Sequence, residues 1–227
     1  MLSEGVFVKS SGTTGIQKHI FRTPENLKAC NKIAIECQQI TKKSKIYTVC
    51  KMEHAGGLLA QTLPAFSIGA EVTVEQFNAY KFVKEINKYT HTHLAPDHAK
   101  AIIKTKGFKD LNLKGIWITC GSNPVEWHII ESFVNKGATF MANWGMSEIG
   151  PLTINKVFYN LDQIQEVKRK ETILGDTYYC DWKIEDGKLF VRGDTCIYDD
   201  WYNTNDLVYL IESHYNNNRM YYDGRLI

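Results

Sequence analysis

Short apolar runs alternate with longer amphipathic segments from Val6 to about Ala142. This alternation is typical of a parallel sheet, because each parallel strand needs a crossover, usually a helix, before the next strand begins. We therefore expect an α/β fold with a layered, mostly parallel sheet and flanking helices. The predicted strands are residues 6–9, 19–21, 46–50, 71–74, 93–95, 115–119 and 139–142, and the predicted helices are residues 24–41, 56–66, 79–88, 96–104 and 125–135.

Local signals support the first two helices. Thr23 followed by Pro24 predicts an N-cap and a first helical residue. Gly69 is typical of the left-handed residue that ends a helix, so we expect the second helix to stop just before it.

The pattern changes after Glu148. Apolar residues flank Asp186-Gly187, which predicts a hairpin over residues 182–191. Residues 207–211 and 219–222 predict a second hairpin, with Asn216, Asn217 and Asn218 in its turn. We therefore divide the chain into an α/β core, residues 1–150, and a small β-rich, barrel-like subdomain, residues 151–227.

Composition excludes several classes of protein. The 227 residues carry a net charge of +2, too little to indicate a nucleic acid or a membrane surface as partner. The six cysteines lack C-x-x-C spacing, which argues against a zinc site and a disulfide framework. No signal peptide or membrane-spanning run is found. We interpret the chain as cytoplasmic and reduced.

Residues 10–18, Ser-Ser-Gly-Thr-Thr-Gly-Ile-Gln-Lys, have the chemistry of a phosphate cradle. Glycines allow backbone N–H groups to approach an anion, hydroxyls donate to it, and lysine adds a charge. The spacing differs from that of a Walker A loop. Taken alone, the stretch is better interpreted as a turn between two strands. The candidate phosphate-binding residues are Ser11, Gly12, Thr13, Thr14, Gly15 and Lys18.

Further motifs follow in a fixed order. They are Gly121-Ser122-Asn123-Pro124, Asn143-Trp144-Gly145-Met146-Ser147-Glu148, Tyr202-Asn203-Thr204-Asn205-Asp206 and Gly224-Arg225. Together with the loop they resemble the motifs of the adenylate-forming superfamily, which includes acyl-CoA synthetases, aryl-CoA ligases and luciferases. The run from His54 to Gly69 looks most similar to the o-succinylbenzoate–CoA ligase branch.

The resemblance implies roles at the phosphates and the base. Lys18 would neutralise the β- and γ-phosphates, Ser147 would bind the α-phosphate, and Glu148 would hold Mg²⁺. Trp144 would stack on adenine, although a core tryptophan is the alternative. The remaining residues implied on the base side are Asn143, which would read the adenine amino group, and Gly121, Ser122 and Gly145.

The resemblance also implies contacts to ribose and to the acid. Asp206 would accept the ribose hydroxyls beside Arg225, although Asp206 could be a plain turn residue. Asn205 replaces the family's glycine and tolerates a positive φ better than most residues. His54 and Met146 would border the acyl pocket, with helix capping as the alternative for His54. For the pair His91 and His93 we prefer ordinary sheet residues to a metal site.

The implied activity is that of a ligase core that joins a small carboxylic acid to ATP, forms an acyl-adenylate and pyrophosphate, and passes the acyl group to CoA or a carrier thiol. The family's N-terminal region and its C-terminal lid domain, which carries a further lysine, are absent from this sequence. The alternative is a non-catalytic protein that binds a nucleotide or an acyl-adenylate. A third possibility is that a partner chain supplies the lid, and we expect a homo-oligomer or such a partner.

Overall fold

The computed structural model describes residues 3–10, 18–212 and 218–226. A seven-stranded sheet forms its centre, in the order β10-β8-β7-β6-β5-β3-β4. The strands β3 to β7 run parallel, β8 pairs antiparallel with β7, and β10 pairs antiparallel with β8. These strands are β3 (Lys45–Thr48), β4 (Glu71–Val74), β5 (His91–Leu94), β6 (Trp117–Cys120), β7 (Thr139–Met146), β8 (Gly150–Phe158) and β10 (Thr177–Tyr178).

Helices flank this sheet as the alternation predicts. The first begins where expected, because the Thr23 side chain accepts a hydrogen bond from the Asn26 N–H. A fully buried π-helical stretch, Leu58–Thr62, separates the second and third helices. The helices are α1 (Pro24–Cys37), α2 (Ala55–Gly57), α3 (Leu63–Ser67), α4 (Ala79–Glu85), α5 (Pro96–Ile103), α6 (Trp127–Val134) and α7 (Leu161–Val167).

The ends of two helices are set by single residues that adopt a positive φ. The helix α1 stops at Cys37, before the predicted residue 41, because Gln39 adopts a positive φ of 55°. The preceding Gln38 is buried, and its side chain donates to the carbonyls of Ala34 and Ala60. Gly69 adopts a φ of +77° just after α3, so the predicted left-handed residue is confirmed.

A second, five-stranded antiparallel sheet has the order β11-β12-β13-β14-β9. Its first hairpin turns at Asp186 and Gly187, both with positive φ, as a tight turn requires. The second hairpin is also confirmed, although Asn216 and Asn217 lie outside the described residues. The strands are β9 (Thr172–Gly175), β11 (Asp181–Glu185), β12 (Lys188–Arg192), β13 (Tyr202–Ile211) and β14 (Arg219–Arg225).

The first sheet continues past residue 150, where we divided the chain. The strand β8 (Gly150–Phe158) pairs with β7 across a register shift between Trp144 and Met146. The sequence did not predict this strand, because Gly150 and Pro151 read as a break in any regular element. The proposed division at residue 150 stays a prediction.

A small antiparallel sheet of two strands, β1 (Val6–Lys9) and β2 (His19–Arg22), lies beside these two sheets. Val8 and Ile20 bury their side chains in one cluster with Leu27 of α1 and Leu58, which fixes the hairpin to the helices beside the first sheet. Within the described part of the chain, no helix has the length and apolar character needed to cross a bilayer.

Candidate functional site

A cleft of about 580 Å³ opens at the carboxyl ends of the parallel strands, next to the second sheet. Ligands of open α/β sheets bind at this edge, because the loops that follow the strands converge there. We call this space the cleft. The predicted site residues that line it are Lys18, His54, Ser122, Asn143, Gly145, Met146, Ser147, Glu148 and Arg225.

The predicted phosphate-binding stretch, residues 10–18, begins and ends on the hairpin of β1 and β2. The Ser10 N–H donates to the Lys18 carbonyl at 2.9 Å, and the Lys18 N–H donates to Ser10 Oγ at 3.0 Å. These bonds hold the two ends of the loop together and place Lys18 at the cleft. The predicted residues Ser11, Gly12, Thr13, Thr14 and Gly15 lie outside the described residues.

Ser147 and Glu148 follow β7 in the tight turn toward β8. The Ser147 hydroxyl donates to the Lys9 carbonyl at 3.4 Å, and the Ile197 N–H donates to the Glu148 carbonyl at 3.0 Å. Glu148 is only 8% exposed, yet it lines the cleft. Its carboxylate therefore faces a partly desolvated space in which an opposite charge interacts strongly.

A smaller cavity of about 150 Å³ adjoins the cleft and is lined by Ser122, Asn143, Trp144, Asp206 and Arg225, among others. Gly121 is not among the lining residues. It admits no side chain, because a Cβ there would stand 2.1 Å from Asn143 Nδ2. The Asn143 Oδ1 atom accepts from the Leu152 N–H at 3.0 Å. The amide of Asn143 is thereby fixed between two backbone segments.

The carboxylate of Asp206 joins the two sheets. It is fully buried and accepts from Trp144 Nε1 at 2.9 Å. It also accepts from Arg225 Nε at 2.5 Å and from Arg225 Nη2 at 3.0 Å. Such a two-pronged arginine–carboxylate pair is among the strong hydrogen-bonded contacts in proteins.

The backbone around Asp206 confirms one local prediction. Asn205 adopts a φ of 59°, the conformation that the family's glycine would take. The Asn203 side chain stabilises the turn by accepting from the Asn205 N–H at 2.9 Å. Asparagine therefore replaces glycine here without loss of the turn.

His54 and Met146 also line the cleft. His54 precedes α2 without a side-chain capping bond, and its Nδ1 lies 3.1 Å from the Lys9 carbonyl. Met146 Sδ lies 3.9 Å from Arg225 Nη2. These two residues are separated by ninety-two positions in sequence but border one space.

Several cleft residues were not found from the sequence. Cys50, His93 and His98 line the same wall, and Cys50 Sγ lies 3.7 Å from His98 Nδ1. Burial lowers the pKa of His93 to about 4, and nearby His98 adds to this effect. Cys50 ends the predicted strand 46–50 and His98 follows the predicted strand 93–95, which was the available signal for these two residues. His91, by contrast, is buried against the Gln38 carbonyl at 3.0 Å.

The described residues contain no cluster of three or more metal-ligating side chains. A single buried carboxylate nevertheless suits Mg²⁺, which is commonly held by one or two carboxylates together with phosphate oxygens and water. Glu148 fits that donor set because it lines the same cleft as Lys18.

Residues 7–195 match the AMP-binding enzyme family. The match covers most of the chain, and the chain therefore belongs to this family. The mixed α/β architecture with a C-terminal antiparallel sheet is the one found in structures of adenylate-forming enzymes.

One curated relative is the indoleacetate–CoA ligase of Aromatoleum aromaticum, 29% identical over 148 residues, which are 63% of this chain and 29% of that protein. The AMP-bound o-succinylbenzoate coenzyme A synthetase (MenE) of Bacillus subtilis is 19% identical, with a TM-score of 0.77 over 99% of this chain and 50% of that chain. ATP-bound MatB of Rhodopseudomonas palustris is 14% identical, with a TM-score of 0.78 over 96% of this chain and 47% of that chain.

At these identities the two solved structures show the shared fold. The chain spans about half the length of the solved chains and 29% of the curated relative.

Proposed function

We propose that this chain binds ATP in the cleft and activates a carboxylic acid as its adenylate. The observation that carries the proposal is the convergence of five sequence motifs, spread from Lys18 to Arg225, on one cleft at the carboxyl edge of the sheet. The AMP bound to MenE and the ATP bound to MatB in the two solved structures support the choice of nucleotide.

The reaction would join a carboxylate oxygen of the acid to the α-phosphorus of ATP. The bond between that phosphorus and the bridging oxygen would break, and pyrophosphate would leave with the electron pair. Lys18 would stabilise the departing phosphates, and Ser147 would donate to the α-phosphate. Glu148 would hold Mg²⁺ against the phosphate oxygens, where the ion supplies charge neutralisation.

The adjoining cavity would hold the nucleoside. Trp144 would offer its ring to adenine. Gly121 would act indirectly, because its lack of a side chain leaves room for the Asn143 side chain that lines the same cavity. Asp206 and Arg225 would contact the ribose hydroxyls. Because these two side chains already bind each other, the ribose would meet a fixed pair of donor and acceptor groups.

The acid would occupy the side of the cleft near His54 and Met146. The indoleacetate–CoA ligase among the relatives suggests an aryl or arylacetic acid, with CoA as acceptor of the acyl group. A carrier thiol is the other acceptor that we consider.

Carboxylate-dependent exchange of labelled pyrophosphate into ATP tests the proposal, since only reversible adenylation supports it. We expect exchange with one or more arylacetic acids and its loss in Lys18→Met. Lys42→Met, an exposed lysine outside the cleft, should leave exchange unchanged.

Nucleotide binding without exchange for any acid would support the non-catalytic alternative. Exchange that persists in Lys18→Met would contradict the assigned role of Lys18.

A further inference from the structure

Arg22 is a fully buried charged side chain that the proposed reaction does not use. It ends β2, four positions after Lys18, and is 0% exposed. Removing a guanidinium from water is costly unless its N–H groups find partners. The partners of Arg22 therefore show which segments of the chain this side chain holds together.

The guanidinium connects β2 to two distant segments. Its Nε donates to the Ser147 carbonyl at 3.3 Å, and its Nη1 donates to the Thr195 carbonyl at 2.5 Å. One side chain on the Lys18 hairpin thus contacts the backbone immediately before Glu148.

The Thr195 segment leads back to Glu148. The Ile197 N–H donates to the Glu148 carbonyl at 3.0 Å. Asn26 Nδ2 donates to the carbonyls of Asp194 and Cys196 at 2.9 and 3.0 Å. Arg22 therefore binds the peptide group that precedes Glu148, and the segment of residues 194–197 binds the carbonyl of Glu148 itself.

The packing around these contacts of Arg22 is tight. Gly150 adopts a φ of +97°, and a Cβ there would lie 3.4 Å from Arg22 Nη2, 3.2 Å from Thr195 Cβ and 3.0 Å from Cys30 Sγ. Burial lowers the pKa of Arg22, and Glu148 is among the charged neighbours that oppose this effect. Both observations place the guanidinium and the turn that carries Glu148 in one compact unit.

We propose that Arg22 is a positioning residue that fixes Glu148 relative to Lys18 across the cleft. The inference rests on the proposed function, in which Glu148 holds Mg²⁺ beside the phosphates. Groups that orient a metal ligand typically change metal affinity by about 10- to 100-fold when removed. Arg22 would therefore govern Mg·ATP binding without touching the nucleotide.

Two substitutions at Arg22 separate the effect of its hydrogen-bonding geometry from the effect of its charge. Arg22→Lys keeps the positive charge but lacks the planar fork that reaches two carbonyls. Arg22→Met keeps a long side chain and removes both the charge and the donors to the two carbonyls. Arg219→Met is the matched control, because Arg219 is also mostly buried and pairs with Glu166 outside the cleft.

The first measurement is hydrogen exchange of the Ile197 amide, which reports its bond to Glu148. We expect exchange to rise about tenfold or more in both Arg22 variants and to stay unchanged in Arg219→Met. Unchanged exchange in the Arg22 variants would overturn the proposal whether or not the chain binds nucleotide.

The second measurement is the ratio of the affinities for Mg·ATP and for AMP, which lacks the magnesium-bound phosphates. We expect this ratio to fall about tenfold in both Arg22 variants. Equal losses for both nucleotides, or full recovery in Arg22→Lys, would overturn the positioning role. A wild-type chain that binds neither nucleotide would refute the proposed function, and the exchange measurement would still decide on Arg22.

Discussion

The two ends of the proposed nucleotide site satisfy their polar groups in different ways. At the base and ribose end, the Asp206 carboxylate is fully buried and binds both Trp144 and Arg225. At the phosphate end, Lys18 is exposed and Glu148 faces the cleft. The first end is built from contacts within the protein, whereas the second leaves charges available to a ligand. Substitutions should therefore affect stability first at one end and ligand affinity first at the other.

The largest expected effect follows from Trp144→Ala. The ring is 8% exposed and belongs to the core of the second sheet, so its loss should destabilise the protein by about 3–5 kcal/mol. Chemical denaturation measures this change. Trp144→Phe is the matched variant, because it keeps an aromatic face while it removes the N–H donor to Asp206 and the volume of one ring. A Trp144→Ala variant as stable as wild type would show that this end is not part of the core.

Lowering the pH should destabilise the folded chain through His93, which lines the cleft. Since the folded pKa of His93 is about 4 and the ordinary value is about 6.5, the unfolded chain takes up a proton first as the pH falls. His93 thus contributes stability that is fully present above about pH 6.5 and is lost toward pH 4, by about 3 kcal/mol in total. Denaturation curves over this range measure the slope. His93→Gln should flatten it, and an unchanged slope would contradict the burial of a neutral imidazole.

Asp206→Asn tests how much the pair of Asp206 and Arg225 contributes to stability at the proposed ribose end. The substitution removes the charge that pairs with Arg225, while Trp144 Nε1 keeps a potential acceptor. We expect a loss of about 2 kcal/mol, the usual value for a hydrogen bond to a charged group. Thermal or chemical unfolding measures it, with Asp181→Asn as the control, because Asp181 pairs with Arg192 at an exposed position. Equal effects of the two substitutions would argue against a structural pair at Asp206.

Glu148→Gln probes the phosphate end and should have the smallest effect on the free energy. It preserves size and removes the charge, so stability should change little. Affinity for Mg·ATP should fall about tenfold, or about 1.4 kcal/mol, while affinity for AMP without magnesium should hold. Titration calorimetry measures both. A similar loss for AMP would assign Glu148 a role other than holding the ion.

The fold was predictable from the sequence where one signal dominated. The parallel strands and their helices followed from alternation, and Thr23, Gly69 and the Asp186-Gly187 turn marked element ends through local chemistry. The strand β8 escaped prediction because Gly150 and Pro151 look like a break. Only the tertiary contact with β7, across a register shift, makes a strand there.

The candidate site was predictable through its motifs but not through its internal bonds. Asp206 and Arg225 were each assigned to ribose, and nothing in the sequence indicated that they pair with each other. Arg22 carried no signal either, because a single arginine at the end of an apolar strand reads as surface. Its burial depends on segments 125 and 173 positions away, at Ser147 and Thr195.

The central claim is that the cleft binds an adenine nucleotide, and a thermal shift titration with AMP and with Mg·ATP tests it most directly. Binding at a hundredfold excess over the dissociation constant should stabilise the folded chain by about 2.7 kcal/mol. The account predicts a rise in melting temperature with both nucleotides, and a smaller rise with Mg·ATP in Glu148→Gln. No rise with either nucleotide at millimolar concentration would contradict it.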